Sequence, residues 1–297
     1  MEEGGPRMKK LKKSYEELEL RDDFMFGVIM RNPLYCKKFL ETVLGMKISN
    51  LEYPEAQKTI DLSPGAKGVR LDIYVEDEEH TAYNLEMQSR NRGNMPKRMR
   101  YYQGMIDLNT LEKGALYKTL KRSIIIFVCT FDLFGYGRHI YTFENRCIET
   151  PDLSMDDGVS KVVLNTKGSQ DDISPELKNL LNYLDGKAPM DDYTRELDRA
   201  VKLARSDEKR RLEYMTLEMH LLESYEEGRE DGLEQGLERG KEQGLEQGLE
   251  QGLKRGQGEG RAEVAERMLR AGKYSTDEIV FCTTLTREQV ETLQKRL

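Results

Sequence analysis

The residues with the clearest chemical potential lie in one stretch, GVRLDIYVEDEEHTAYNLEMQSR, from Gly68 to Arg90. Two short β-rich segments, Val69 to Glu76 and Ala82 to Gln88, flank a polar loop from Asp77 to Thr81, the pattern of an antiparallel hairpin. A five-residue loop pairs Glu76 with Ala82, and the same register sets Asp72 opposite Glu86. Side chains alternate between faces. Leu71, Ile73 and Val75 are therefore expected on one face with Tyr83, Leu85 and Met87, while Arg70, Asp72 and Tyr74 share the other with Asn84, Glu86 and Gln88. This register matches apolar residues with apolar ones, as burial of one face requires.

Opposed residues place their Cβ atoms roughly 5 Å apart, where like charges repel. A shared divalent cation would give two facing carboxylates a reason to be there. Mg²⁺ takes oxygen ligands at about 2.0–2.1 Å, often one or two carboxylates, and such an ion polarises phosphate and acidifies bound water. The alternative is an ordinary solvated hairpin face with its carboxylates splayed into water. After Gln88 come Arg90, Arg92, Lys97, Arg98 and Arg100, then Tyr101 and Tyr102. Arginine forks match phosphate geometry, so Arg90, Arg92, Lys97, Arg98, Arg100 and Tyr102 are candidate DNA contacts. The competing reading is a solvated helix face. Arg98 and Tyr102 stand one turn apart and share a face.

These strands need a scaffold. Glu16 to Gly45 reads as helical, with apolar spacing at Phe24, Val28, Ile29, Phe39, Leu40, Val43 and Leu44, a break at Asn32-Pro33 and a C-cap at Gly45. Met95 to Glu112 is a predicted helix with Pro96 near its start and Gly114 beyond its end. SIIIFVCTF, Ser123 to Phe131, is a continuous apolar run, as in a strand buried on both faces. His139 to Phe143 and Lys161 to Leu164 are further predicted strands. The order indicates an α/β domain with a mixed sheet flanked by helices, ending near Gly186.

The resemblance is to the PD-(D/E)XK nuclease class, carried by Asp72 on one strand and Glu86-Met87-Gln88 on the next. Four ordered segments resemble, more narrowly, the recombination-promoting nuclease/transposase (Rpn) family: RDDFMF (Arg21 to Phe26), GVRLDIYV, NLEMQ and KRMRYYQGMID (Lys97 to Asp107). The run IIIFVCTFDLFGYGRHIYTF and the glycine repeat described below also fit, so the resemblance spans nearly the whole chain. It implies a restriction-endonuclease-like core and a Mg²⁺- or Mn²⁺-dependent DNA endonuclease linked to recombination or transposition. Asp72 and Glu86 would be metal ligands, with the Met87 carbonyl a third candidate. Asp23 would match a further acidic residue of the core, with Asp22 adjacent; either could equally be a first-turn acid favoured by the helix dipole. Gln88 departs from the lysine of the wider class. An amide can orient water or donate to phosphate but carries no charge, so the alternative is a weakly active or inactive DNA-binding, oligomeric regulator that retains the fold.

Composition narrows the remainder. In 297 residues, 37% hydrophobic and 34% charged, there is enough apolar material for one sizeable core and much solvated helix surface. Cys36, Cys129, Cys147 and Cys282 are scattered, as are His80, His139 and His220. No zinc site or disulfide framework is indicated, so any metal site must use oxygen. No organic cofactor motif, signal peptide or apolar span appears, and a cytoplasmic protein without membrane contact is expected. The net charge of −7 reflects, in part, ten acidic against five basic residues between Glu226 and Gly260. It therefore says little about DNA binding by the rest.

Five regions are expected: a basic arm (1–17) able to touch phosphates, the nuclease domain (18–186), a charged helical region (187–227), a tetrapeptide repeat (228–260) and a small helical tail (261–297). In the repeat, nine glycines recur every fourth residue from Gly228 to Gly260. On an ideal helix that stripe drifts by roughly 40° per repeat, and each glycine costs about 1 kcal/mol relative to alanine. Close packing of two backbones, with Leu233, Leu237, Leu245, Leu249 and Leu253 beside the stripe, would make a homodimer; a flexible spacer is the other reading. In the tail, Ala262 to Arg270 is followed by capping boxes at Ser275/Glu278 and Thr286/Gln289. It resembles either a helix-turn-helix or an interaction and capping module.

Overall fold

The structure is a computed structural model that describes residues 13–53, 59–60, 69–111 and 114–297. It comprises two compact units, Met1–Leu217 and Glu218–Leu297. The basic arm expected at residues 1–17 lies mostly outside the described residues.

The first unit opens with a single 3-10 turn, Tyr15–Glu17, and then helices α1 (Asp23–Met30) and α2 (Pro33–Leu44). The helix expected from Glu16 starts later. The Asp22 carboxylate reaches back to accept the Glu19 N–H at 2.7 Å and the Lys13 ammonium at 3.1 Å, which holds the preceding residues in a turn. Asn32 caps α2 by accepting the Leu34 N–H, Pro33 fills its first position, and Gly45 ends it at φ 66°.

Strands β1 (Leu51–Glu52), β2 (Thr59–Ile60), β3 (Val69–Arg70), β4 (Ile73–Asp77) and β5 (Ala82–Gln88) follow, then α3 (Met95–Thr110), β6 (Ser123–Cys129), β7 (Ile140–Phe143) and β8 (Val159–Asn165). Six of them form one mixed sheet in the order β1-β4-β5-β6-β8-β7. Its centre, β5-β6-β8, is parallel, and its outer strands pair antiparallel. The strand expected from Val69 to Glu76 is interrupted. β3 pairs with β2 in a separate ribbon, and Leu71 and Asp72 sit between the two strands. The break also upsets the expected alternation, because Leu71 packs with Tyr74 and Ala82, not with Ile73 and Val75.

The sheet is buried on both faces. On one, Ile73, Val75, Tyr83, Leu85, Met87, Ile124, Ile126 and Val128 pack with residues of α1, α2, α4 (Pro175–Leu184) and α5 (Asp192–Arg205). On the other, Tyr74, Ala82, Ile125, Phe127 and Cys129 pack with Met95, Met99, Met105 and Ile106 of α3. Every residue of β6 is buried, as its continuous apolar run predicts. Apolar packing continues past Gly186, through Tyr193, Leu197 and Val201 of α5 to Tyr214 in the first turns of α6 (Glu208–Ala271).

In the second unit the glycine repeat is helical throughout, as part of α6. Its five leucines are 57–76% exposed, and a Cβ added at any of the nine glycines would meet nothing within 4 Å. Both predicted capping boxes are present, opening α7 (Thr276–Thr283) and α8 (Arg287–Gln294). Ala265, Ile279 and Val290 make the small core of this unit. Among the described residues, no helix is long and apolar enough to cross a membrane, and the four cysteines are free.

Candidate active site

The hairpin that carries the two acids is set by its turn. The Asp77 carboxylate accepts the Thr81 N–H (2.8 Å), the Glu79 N–H (3.0 Å) and the Tyr83 hydroxyl (2.7 Å), and His80 takes a left-handed φ of 61°. This fixes Glu76 opposite Ala82 and Ile73 opposite Leu85, the register read from loop length. One step beyond β4, the Asp72 backbone N–H donates to Glu86 Oε1 at 3.1 Å. Asp72 and Glu86 therefore meet across the strand ends.

The face that holds Glu86 is not solvated. Asn84, Glu86 and Gln88 are 0%, 2% and 8% exposed, because α3 covers them. A charge buried this deeply costs several kcal/mol unless it is paired. Around Glu86 are the Asp72 N–H, the Asn84 amide at the limiting distance of 3.5 Å, and the Arg98 guanidinium at 3.7 Å. They compensate it incompletely. Burial, and then the nearby charge of Asp72, hold the Glu86 carboxyl well above the usual carboxylate range, against the opposing pull of the Asp72 N–H, Arg98 and Asn84.

Arg98 projects from α3 into this face. Its Nη1 donates to Gln88 Oε1 at 2.7 Å and its Nη2 to the Tyr102 hydroxyl at 2.9 Å. The guanidinium carbon lies 5.4 Å from the Tyr102 ring centre and 5.6 Å from that of Phe127. Tyr102 is half-buried, and burial followed by the Glu86 charge raises its phenol above the ordinary range. The one-turn spacing of Arg98 and Tyr102 thus places both beside Glu86 and Gln88. Arg90, Arg92, Lys97 and Arg100 are instead exposed, after the end of β5 and along the start of α3.

Met87 turns its side chain into the apolar cluster on the opposite face. Along β5, the Ala82 N–H bonds the Arg122 carbonyl beside β6, and the Gln88 carbonyl accepts from Thr130 N–H on that same side. By alternation the Met87 carbonyl is aimed the other way, toward the Leu71–Asp72 break where β4 has ended. Asp23 is the exposed first residue of α1, whose buried Met25, Phe26, Ile29 and Met30 pack on the face opposite Glu86. Asp22 is the residue that caps the preceding turn.

The donor set suits a hard divalent cation. Asp72, Glu86 and the aimed Met87 carbonyl offer only oxygen. Among the described residues, no cluster of three His, Cys, Asp or Glu side chains could hold a metal by itself. An ion here would complete its shell with backbone, water or phosphate oxygens, as Mg²⁺ commonly does. Two contributors were not singled out from the sequence. Asn84 lies fully buried on the same face of β5, its Oδ1 without a hydrogen-bond partner among the described residues, and the Phe127 ring lies near the Arg98 guanidinium. The parity of Asn84 with Glu86 was the available signal for the first; nothing in the sequence marked the second.

Residues 23–144 match the family model described as PD-(D/E)XK nuclease family transposase. No curated protein and no solved structure matches the chain. The matched span begins at the first residue of α1, ends just past β7, and contains the β4–β5 hairpin and α3. A mixed six-stranded sheet with helices on both faces fits the α/β core of that class. The match links this part of the chain to nuclease- and transposition-related function.

Proposed function

We propose that the protein is a metal-dependent DNA endonuclease acting in recombination or transposition, with Mg²⁺ or Mn²⁺ bound by Asp72, Glu86 and the Met87 carbonyl. The observation that carries this reading is the buried Glu86 carboxylate bonded at 3.1 Å to the Asp72 backbone, within the segment that matches the nuclease family. When bound, the ion supplies Lewis acidity toward a phosphate oxygen and acidifies a water for in-line attack on phosphorus. The chain's own part is positioning. Glu86 lies buried on the α3 side of the sheet, and Gln88 offers its amide N–H₂ to water or phosphate. Arg90, Arg92, Lys97 and Arg100 neutralise backbone phosphates along the DNA. Asp23 is the remaining acidic candidate, on the first turn of α1.

Purified protein incubated with supercoiled plasmid and Mg²⁺ is expected to nick it, and Asp72→Ala is expected to lower nicking by about 10³-fold. Gln88, neutral where the wider class has lysine, favours a second reading, a DNA-binding regulator without turnover. Absence of cleavage with every divalent ion tried, together with salt-sensitive DNA binding, would favour that reading over the enzyme.

The repeat in α6 suggests a homodimer, since two antiparallel DNA strands are matched by two sites related by a two-fold axis. Light scattering should then give a dimer for the full chain and a monomer for a chain stopped at Glu227. Paired Gly240→Ala and Gly244→Ala changes separate packing from spacing. With open space around each added methyl, they stabilise the helix by about 1 kcal/mol per site if nothing packs there, and they weaken the dimer if a second helix does.

A further inference from the structure

We propose that Arg98 is a positioning residue of this site: it fixes the Gln88 amide in one orientation and brings to the Asp72–Glu86 pair the positive charge that the side chain at position 88 lacks. This rests on the nuclease reading above and assigns Arg98 a task different from that of the exposed cations around it.

The geometry of one side chain carries the inference. A guanidinium has only donors, so the Gln88 atom it meets at 2.7 Å must be the amide oxygen. That assigns the ends of the amide: Oε1 is committed to Arg98, and Nε2 is left as a donor. Were the two ends free to exchange, Gln88 would present an acceptor as often as a donor, and an acceptor repels phosphate oxygen. The same guanidinium stands 3.7 Å from Glu86 Oε2, donates to Tyr102 at 2.9 Å, and lies near the faces of two rings. It is one-quarter exposed, whereas Arg90, Arg92, Lys97 and Arg100 are open to solvent. An arginine serving only to hold DNA from outside needs no partner on each side. This one is oriented in advance, which is how a group beside reacting atoms contributes without reorganisation. A lysine on β5 would deliver its charge along the strand; here the charge arrives from α3, ten residues later in the chain.

Three measurements on the full-length protein test this. In metal-free protein labelled with ¹⁵N-glutamine, the Gln88 side-chain amide is expected to shift or broaden in Arg98→Gln while the Gln103 amide stays in place. Affinity for uncut duplex DNA in Ca²⁺ is expected to change less than about twofold. Cleavage in Mg²⁺ is expected to fall by about 10–100-fold, the usual effect of losing a group that orients ligands or reacting groups. Arg98→Lys should recover part of that loss, and the double variant Gln88→Lys/Arg98→Gln should cleave better than Arg98→Gln alone, because the charge then returns along β5. An unmoved Gln88 amide would overturn the proposal, as would a loss of DNA affinity equal to the loss of cleavage, or a double variant no better than the single one. Thermal melts of each variant identify any that fail to fold, and Arg98→Lys then carries the amide measurement. Should wild-type protein not cleave DNA at all, the nuclease reading fails, and the amide spectrum still decides whether Arg98 holds Gln88.

Discussion

Strand β5 presents two faces that are equally dry and chemically opposite. Tyr83, Leu85 and Met87 enter an apolar cluster shared with several helices, in which the Tyr83 hydroxyl finds the Asp77 carboxylate. Asn84, Glu86 and Gln88 lie under the single helix α3, with exposures of 0–8%. Excluding water from the first set stabilises the fold, by about 1.5–3 kcal/mol for each large side chain. Excluding it from the second is unfavourable unless each group finds a partner. The first face therefore explains why the sheet forms. The second does not stabilise the fold in that way: buried polar groups are retained there at a cost that their partners must offset. Arg98 is where the two demands meet: it is a charged residue whose guanidinium lies near the Phe127 and Tyr102 rings and donates to Gln88.

Changes on the two faces should separate activity from stability. The largest expected effect is on the polar face: Asp72→Ala or Glu86→Ala lowers plasmid nicking by about 10³-fold, with circular dichroism unchanged. Comparable nicking by either variant would erase the functional half of the contrast. On the apolar face, Leu85→Ala should cost about 2–5 kcal/mol of unfolding free energy, read from the urea midpoint, while the protein that stays folded cleaves at the wild-type rate. A loss below 1 kcal/mol would mean that this face is not the tight core described. The smallest effect is the most diagnostic. In EDTA, Glu86→Gln should raise the thermal midpoint by a few degrees, because it removes a poorly compensated charge and keeps an acceptor for the Asp72 N–H. The folded carboxyl holds its proton to higher pH than the unfolded one, whose ordinary value is 4.5. The wild type therefore loses stability as pH rises from that value toward the folded value, and the loss then levels off. The gap between Glu86→Gln and wild type should widen over that window. A gap that narrows with pH would show Glu86 to be well paired without metal.

The hairpin register was legible because loop length and apolar parity agree, and Glu76 does stand opposite Ala82. The capping boxes at Ser275 and Thr286 were legible because capping is local. The break at Leu71–Asp72 was hidden, since Leu71 keeps the parity of Ile73 and Val75 while the chain turns to pair β3 with β2. The burial of Glu86 was hidden for a different reason. A polar strand face next to a basic run looks solvated until α3 is laid over it, and that is tertiary information. For the same reason Arg98 read as one more exposed cation among its neighbours, and the packing of Leu197 and Val201 against the sheet helices lay beyond the domain edge expected at Gly186.

The repeat inside α6 also sets a scale. An ideal helix rises about 1.5 Å and turns about 100° per residue. One G-L-E-Q tetrapeptide therefore lengthens the rod by about 6 Å and rotates whatever follows by about 40°. Gain or loss of a whole unit leaves every hydrogen bond of the helix intact. Unit number thus sets the length of this helix, and the angular offset along it, in fixed increments of about 6 Å and 40°.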